Sequence, residues 1–157
     1  MRTWPVYVED WQLGCCGTPF GVGDRVAWYL ALRSDLSGFE AVEVELENAT
    51  VTRVHVSGAG REEVELHVGG VRAWWEGPSG ARRGVLTEEH HDRLTAEVAT
   101  EGIVRRIRTV RQRFVWSERH GAHAPSGDPI GLSDISHSDA MGRDAAVTGV
   151  IADLLVS

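Results

Sequence analysis

The sequence predicts an all-β or mainly β protein, folded as a small antiparallel barrel or sandwich. Apolar and polar residues alternate with a period of two in at least five segments, and turns rich in glycine separate these segments. A chain of 157 residues has the length of one domain. We therefore expect a single β-rich domain over residues 1–157.

The first two predicted strands, residues 6–9 and 25–30, flank a loop dense in turn residues. Its glycines allow backbone conformations that other residues avoid, so the loop is expected to reverse the chain sharply. It also contains both cysteines of the chain, Cys15 and Cys16. Because a free cysteine behaves as a small buried hydrophobe, we expect Cys15, Cys16 and Phe20 to fill one end of the barrel.

The middle of the chain repeats the strand pattern. Alternation is clear in residues 42–47, 53–56 and 63–68, and a glycine pair then leads into residues 71–75. This order predicts a meander with one buried face. Trp74 and Trp75 point to opposite faces of the last of these strands, so we expect at least one indole to meet solvent or an interface.

Two later segments fit either a strand or a helix. Residues 103–115 match helical spacing but are rich in β-branched residues, and we predict a hairpin that turns near Glu101 and Gly102. Residues 145–156 fit a helix or a doubly buried closing strand. Between the two segments no regular apolar period exists, so a long polar loop is predicted near residues 117–142.

The net charge of −7 disfavours nonspecific binding to nucleic acid. One basic cluster interrupts this acidic composition, and its neighbours are mainly aliphatic, so it lacks the exposed aromatic residues on which bases stack. We interpret it as a solvated face that is neutralised by adjacent acidic strands. The cluster consists of Arg105, Arg106, Arg108, Arg111 and Arg113.

No complete catalytic or cofactor motif is present. The chain has no H-E-x-x-H, no paired cysteine spacing, no G-x-S-x-G and no phosphate-binding glycine loop. We therefore predict neither a cofactor nor a metal, and we assign no catalytic residue. Two alternatives stay open: a metal site in the histidine-containing loop of residues 120–139, and a Cys15 nucleophile activated by His90 or His91.

Several short motifs together resemble a family of small uncharacterised proteins, a domain of unknown function, from GC-rich actinobacteria. The resemblance covers most of the chain, and it implies no activity and no catalytic residues. It rests on Trp11, Cys15-Cys16-Gly17, Pro19-Phe20, Val22-Gly23-Asp24, Val26, Trp28, Glu89-His90-His91 and the run from Gly102 to Ile107.

The favoured function is a non-enzymatic interaction module that presents aromatic residues and the arginine cluster to a protein partner. The alternative is a metal- or cysteine-dependent enzyme that uses Cys15 or Cys16 with His90 or His91. The oligomeric state is left open. The candidate binding residues are Cys15, Cys16, Trp28, Trp74, His90, His91, Arg105 and Arg106.

Cysteine usage and hydropathy predict a cytoplasmic location without membrane contact. The two cysteines are adjacent, which fits a reducing compartment better than a secreted disulfide framework. The amino terminus lacks the apolar stretch of a secretory signal, and no run approaches the roughly 20 apolar residues of a membrane span.

Overall fold

Strands dominate the computed structural model, which describes residues 1–15, 17–46, 48–56, 58, 60, 62–77, 82–89 and 95–157, without the side chains of Cys15 and Glu62. The mainly β prediction is confirmed. In chain order the elements are β1 (Arg2–Glu9), α1 (Asp10–Cys15), β2 (Arg25–Trp28), β3 (Leu30–Arg33), the 3-10 helix η1 (Glu40–Val42), β4 (Val44–Glu45), β5 (Thr50–Val56), β6 (Glu62–Val68), β7 (Val71–Trp75), β8 (Arg83–Glu88), β9 (Thr100–Arg111), β10 (Phe114–Ser117), β11 (Ala122–Pro125), β12 (Gly131–Ile135), the 3-10 helix η2 (Ser138–Met141) and β13 (Val147–Val156).

Nine strands lie side by side in a sheet that curls into a half-barrel, in the order β12-β9-β13-β1-β8-β3-β7-β6-β5. Off this path, β2 pairs with β9 and β4 pairs with β8. Most pairs are antiparallel, and β5, β6 and β7 form three strands of the predicted meander. The expected single buried face is wrong, because consecutive residues of β6 and β7 are buried on both faces and β5 is mostly exposed. The predicted strand over residues 42–47 is reduced to β4, which pairs with β8 instead of joining the meander. The pairs β1–β8 and β3–β7 are parallel. The hairpin of β10 and β11 forms a separate two-stranded sheet.

Both faces of the central strands are buried, which explains their nearly continuous apolar sequences. The inner face carries the larger core, which includes Leu30, Leu86 and Leu154. A second cluster on the outer face joins Tyr7 and Ile151 to the segment around η1. Strand β13 pairs with both β1 and β9, so residues 145–156 supply the doubly buried closing strand rather than a helix.

Residues 103–111 are extended as predicted, but the predicted turn near Glu101 and Gly102 is wrong. Both residues lie inside β9, which continues without reversal. A Cβ atom on Gly102 would come within 2.6 Å of the Leu154 side chain and 2.7 Å of the Leu155 carbonyl oxygen. The glycine therefore allows close approach of β13 rather than a change of direction.

The segment 117–142 is more regular than the long polar loop that the sequence predicts. It contains β11, β12 and η2, and most of its side chains are exposed or half-buried. Polar residues occupy both faces of strands that bury little surface, so no apolar period marks them. Helix α1 is likewise absent from the sequence-based prediction.

Both tryptophans at the end of β7 are buried, so the expectation that one indole is exposed is wrong. Trp75 is 3% exposed and belongs to the inner core, and Trp74 is 2% exposed on the other face. The Arg53 guanidinium covers Trp74, with its central carbon 4.6 Å from the ring centroid. A long cationic side chain thus shields the indole from solvent.

Among the described residues, no helix combines the length and the apolar character that a membrane crossing requires.

Replacing Gly38 with alanine is expected to destabilise the fold. Gly38 has a φ of +87°, and a Cβ atom there would overlap the carbonyl oxygen of Asp128. Gly142 offers a matched control, because its φ is +79° but nothing lies within 4 Å of an added Cβ. Gly142→Ala should cost only the backbone strain of its positive φ, about 1–3 kcal/mol, and Gly38→Ala distinctly more. Urea denaturation measures both, and equal losses would contradict the close contact.

Candidate functional site

A pocket with a volume of about 1140 Å³ opens at one edge of the half-barrel. Strands β1 and β8 are parallel neighbours, so their carboxyl ends meet at this edge. The segment 17–20 after α1, the strand β2 and residues 95–97 surround the opening. The pocket is therefore formed by elements that are distant in sequence.

One wall of the pocket is aromatic. Phe20 is buried in the inner core and meets Trp28 edge-to-face, with the ring centroids 4.9 Å apart. The Ser138 hydroxyl oxygen accepts a hydrogen bond from the Phe20 backbone N–H at 3.0 Å. Tyr29 follows Trp28 and is 48% exposed at the rim. Trp28, a predicted binding residue, thus lines the pocket.

Glu88, the last residue of β8, lines the pocket although it is only 3% exposed. Successive side chains of a strand alternate between faces, so Glu88 follows the inner-core residue Leu86 on one face. In the sheet Glu88 pairs with Leu30. Burial, reinforced by the neighbouring charge of Glu89, raises the pKa of Glu88 to about 8. The carboxyl group is therefore largely protonated at neutral pH.

Glu89 lies in a hydrogen-bonded network beside Glu88. Its carboxylate accepts hydrogen bonds from the buried Gln12 amide at 2.9 Å and from the Thr87 hydroxyl at 3.1 Å. The Arg33 guanidinium lies 4.0 Å from the Glu89 carboxylate and 2.8 Å from that of Glu9. Burial raises the pKa of Glu89, and the two hydrogen bonds oppose that rise.

A second ionic network supports the opposite side of the pocket. Arg53 forms ion pairs with Glu97 at 2.8 Å and with Glu65 at 3.4 Å. The Glu65 carboxylate also accepts a hydrogen bond from the Glu97 backbone N–H at 3.0 Å. These contacts attach residues 95–97 to strands β5 and β6, so the charge of Arg53 is balanced before any ligand arrives.

The predicted cysteine and histidine candidates lie largely outside the described residues. Cys16, His90 and His91 are not among them, and Cys15 is described only as the end of α1. Residues close to both pairs in sequence do line the pocket. They are Leu13 and Gly17 around the cysteines, and Glu89 and Thr95 around the histidines.

The arginine candidates lie away from the pocket, on the exposed side of β9. Arg106 forms an ion pair with Asp134 of β12 at 2.6 Å, and this contact lowers the pKa of Asp134. Arg105 is exposed. The remaining members of the cluster are also paired, as Arg108 with Asp153, Arg111 with Asp144 and Arg113 with Asp128. Four of the five arginines in the cluster therefore form ion pairs with acidic residues, as predicted.

Sequence reasoning missed the two carboxyl groups of the pocket. The run from Thr87 to Asp92 fits a helical turn or a polar loop, whereas Thr87 and Glu88 end a buried strand. One signal was available: two adjacent glutamates directly after the apolar pair Val85-Leu86 must face opposite sides if the strand continues. One glutamate would then point into the interior.

Within the part of the chain that the structure describes, no group of three or more histidine, cysteine, aspartate or glutamate residues is placed to hold a metal ion. The described pocket residues supply the protonated carboxyl group of Glu88, the adjacent carboxylate of Glu89 and an aromatic wall. Such a set can exchange a proton, accept hydrogen bonds and hold a positive charge.

Comparison with known proteins supplies a family and no activity. No curated protein and no solved structure matches the chain. A family model described as "Family of unknown function (DUF6578)" matches residues 2–156. That match spans nearly the whole chain and agrees with the resemblance to a domain of unknown function. The protein therefore belongs to the family of unknown function DUF6578.

Proposed function

We propose that the protein is a non-enzymatic binding module whose pocket receives a segment of a protein partner. The observation that carries this proposal is the pocket itself, with its aromatic wall and its buried carboxyl groups. Its volume of about 1140 Å³ lies above the roughly 300–1,000 Å³ typical of small-ligand sites. A peptide segment suits that size, and the half-exposed Tyr29 ring offers a first contact at the rim.

The networks around the pocket favour binding because they order its walls in advance. Glu89 is held by Gln12 and Thr87, and Arg53 is held by Glu65 and Glu97. A site whose side chains are already fixed loses little conformational freedom when a partner arrives. The arginine cluster contributes less to the proposal, since most of its charges are already paired.

A second exposed apolar surface lies on the β10–β11 hairpin, where Phe114 is 39% and Trp116 is 59% exposed. The two side chains share one face of the strand. Because the pocket joins aromatic and carboxyl groups in one concave site, we favour it over this hairpin for the partner.

The second candidate function is an enzyme. A carboxyl group with a pKa near 8 beside a second glutamate has the properties of a general acid. The segments with the cysteine pair and the histidine pair also adjoin pocket residues in sequence. Elemental analysis after dialysis and thiol titration test the metal and cysteine forms of this alternative, with His90→Ala and Cys15→Ala as comparison variants.

We extend the proposal to a cytoplasmic location and an actinobacterial origin. Adjacent cysteines support the first, and the exclusive use of arginine as the basic residue, a coding bias of GC-rich genomes, supports the second.

Selection of peptides from a random display library tests the binding function. Ala27 is exposed on β2 and lines the pocket, so Ala27→Trp should fill the site without removing a core side chain. Peptides selected on the wild-type protein should bind the Ala27→Trp variant at least tenfold more weakly. Ala122→Trp, on the exposed strand β11, is the matched control and should bind like the wild type. Equal binding to all three proteins would contradict a role for the pocket.

A further inference from the structure

Strand β10 has one edge that no other strand of the described chain covers. At the base of the hairpin the Ser126 N–H donates to the Arg113 carbonyl oxygen at 2.8 Å, which extends the β10–β11 register by one residue. Hydrogen bonds between antiparallel strands alternate along each strand, so the backbone groups of Val115 also point toward β11. The N–H and C=O groups of Phe114 and Trp116 therefore point to the uncovered edge.

The uncovered edge of β10 has the length of one short strand. At its base the Gln112 N–H donates to the Ala146 carbonyl oxygen at 2.9 Å, and this bond closes the edge there. At its tip the chain enters a turn at Glu118. Little more than the four residues of β10 lies between these limits. A longer strand would collide with the chain around Ala146, whereas a strand as short as β10 fits.

The same strand presents an aromatic face to solvent. The exposed rings of Phe114 and Trp116 share this face with His123 and Pro125 of β11. The Trp116 and His123 rings meet edge-to-face, with their centroids 5.6 Å apart. A two-stranded hairpin is marginally stable in water unless further strands or packing support it. An additional strand at the edge would extend both the hydrogen bonding and the aromatic face.

We propose that a second copy of the chain occupies this edge, with β10 of one copy antiparallel to β10 of the other. A two-fold axis at Val115 places Phe114 of each copy opposite Trp116 of the other copy. Each of these pairs exchanges two backbone hydrogen bonds, so the outward groups of both residues are satisfied. The two hairpins then form one continuous sheet, and the inference does not involve the pocket.

The charges around β10 are compatible with a second copy. Strand β10 carries no charged side chain, so two chains with a net charge of −7 meet through an uncharged segment. Antiparallel pairing brings the turn of one copy beside the base of the hairpin in the other. Glu118 then comes near the exposed side chain of Arg113. Arg119 comes near Arg111, whose charge Asp144 already balances at 2.8 Å.

Sedimentation velocity of the full chain over a concentration series tests the proposal. An interface based on one short strand is small, so we expect a reversible equilibrium between monomer and dimer, with a micromolar or weaker dissociation constant. Trp116→Pro removes an N–H that the hairpin itself does not use, and it should weaken the dimer at least tenfold. Trp116→Ala loses the ring but keeps the N–H, so it should weaken the dimer less than Trp116→Pro.

His123→Pro is the matched control for Trp116→Pro. His123 lies opposite Trp116 in the hairpin, and its N–H points to the outer edge of β11. The control thus removes the equivalent hydrogen-bond donor from the other edge of the same hairpin. We expect His123→Pro to dimerise like the wild type.

A disulfide cross-link gives a second test that does not depend on how the hairpin tolerates proline. The two-fold axis brings Val115 of the two copies into a pair without backbone hydrogen bonds, where the Cα atoms are close enough for a disulfide. In a chain whose Cys15 and Cys16 are replaced by serine, Val115→Cys should form a disulfide dimer on mild oxidation at least tenfold faster than Ala122→Cys. Ala122 is exposed on β11 and lies away from the axis.

The proposal is overturned if the chain stays monomeric up to millimolar concentration, if His123→Pro weakens the dimer as much as Trp116→Pro, or if the two cysteine variants cross-link equally fast. Ala27→Trp, which fills the pocket, should dimerise like the wild type. Loss of the dimer in Ala27→Trp would place the interface at the pocket and overturn the proposal. A display-selected peptide that binds the β10 edge of a monomeric chain would overturn it in favour of a different partner.

Discussion

Replacing Glu88 with glutamine is expected to stabilise the protein at and above neutral pH. Burial, with the adjacent Glu89, raises the pKa of Glu88 from 4.5 to about 8 in the folded protein. Between these values the folded state keeps a proton that the unfolded chain has lost, so stability falls as pH rises through this window. At 1.36 kcal/mol per pKa unit the loss amounts to about 3–5 kcal/mol.

Glutamine occupies almost the same volume and does not ionise, so Glu88→Gln should remove this loss. Urea denaturation at about pH 5, 7 and 9 measures the free energy of unfolding for both proteins. The variant and the wild type should be similar near pH 5 and diverge as pH rises. Burial raises the pKa of Glu89 as well, so the variant should keep a residual slope of the same sign. Glu101→Gln, at an exposed position, is the control and should follow the wild type at every pH. If the free energy of unfolding of Glu88→Gln also changed with pH in parallel with that of the wild type, the raised pKa of Glu88 would be contradicted.

Replacing Leu154 with alanine is expected to cost about 2–5 kcal/mol of stability, the usual range for a fully buried leucine. Leu154 lies in the inner core on β13, the strand that pairs with both β1 and β9. The loss combines the removed apolar contacts with the cavity that a rigid, paired sheet cannot close.

Leu155 is the matched control, because it follows Leu154 on the same strand, points to the other face and is only half-buried. Leu155→Ala should therefore cost clearly less than Leu154→Ala. Urea denaturation measures the free energy of unfolding of both variants, and their m-values should match that of the wild type. Equal losses would contradict the strand geometry given for residues 147–156.

The elements that could be predicted from sequence are those whose apolar and polar residues alternate with a period of two. Although the fold also buries the polar residues Glu63 and Glu65 of β6, the meander of β5, β6 and β7 shows this alternation, and its turn residues complete the signal. Strand β13 does not, because burial on both faces removes the period, and its sequence fits a buried helix equally well.

Errors arose where a residue type has two physical uses. Gly102 suggests a turn, but in β9 it allows close packing against β13. Trp74 suggests an exposed aromatic contact, yet a guanidinium from a strand two places away in the sheet covers it. The contact between Arg53 and Trp74 is a tertiary contact, and local sequence patterns do not encode tertiary contacts.

The pocket was only partly predictable. Trp28 was singled out from a local pattern, and it does line the site. Glu88 and Glu89 were missed, because charged residues are normally exposed and only the surrounding fold buries them. The convergence of α1, β2 and β8 depends on the parallel pairing of β1 with β8, which spans some eighty residues of chain.

A crystal structure of the protein with a display-selected peptide shows directly whether the pocket is the binding site. We expect a peptide segment against Phe20, Trp28 and Tyr29. A peptide seated on Phe114 and Trp116 of the hairpin, with the pocket unchanged, would contradict the proposed binding site.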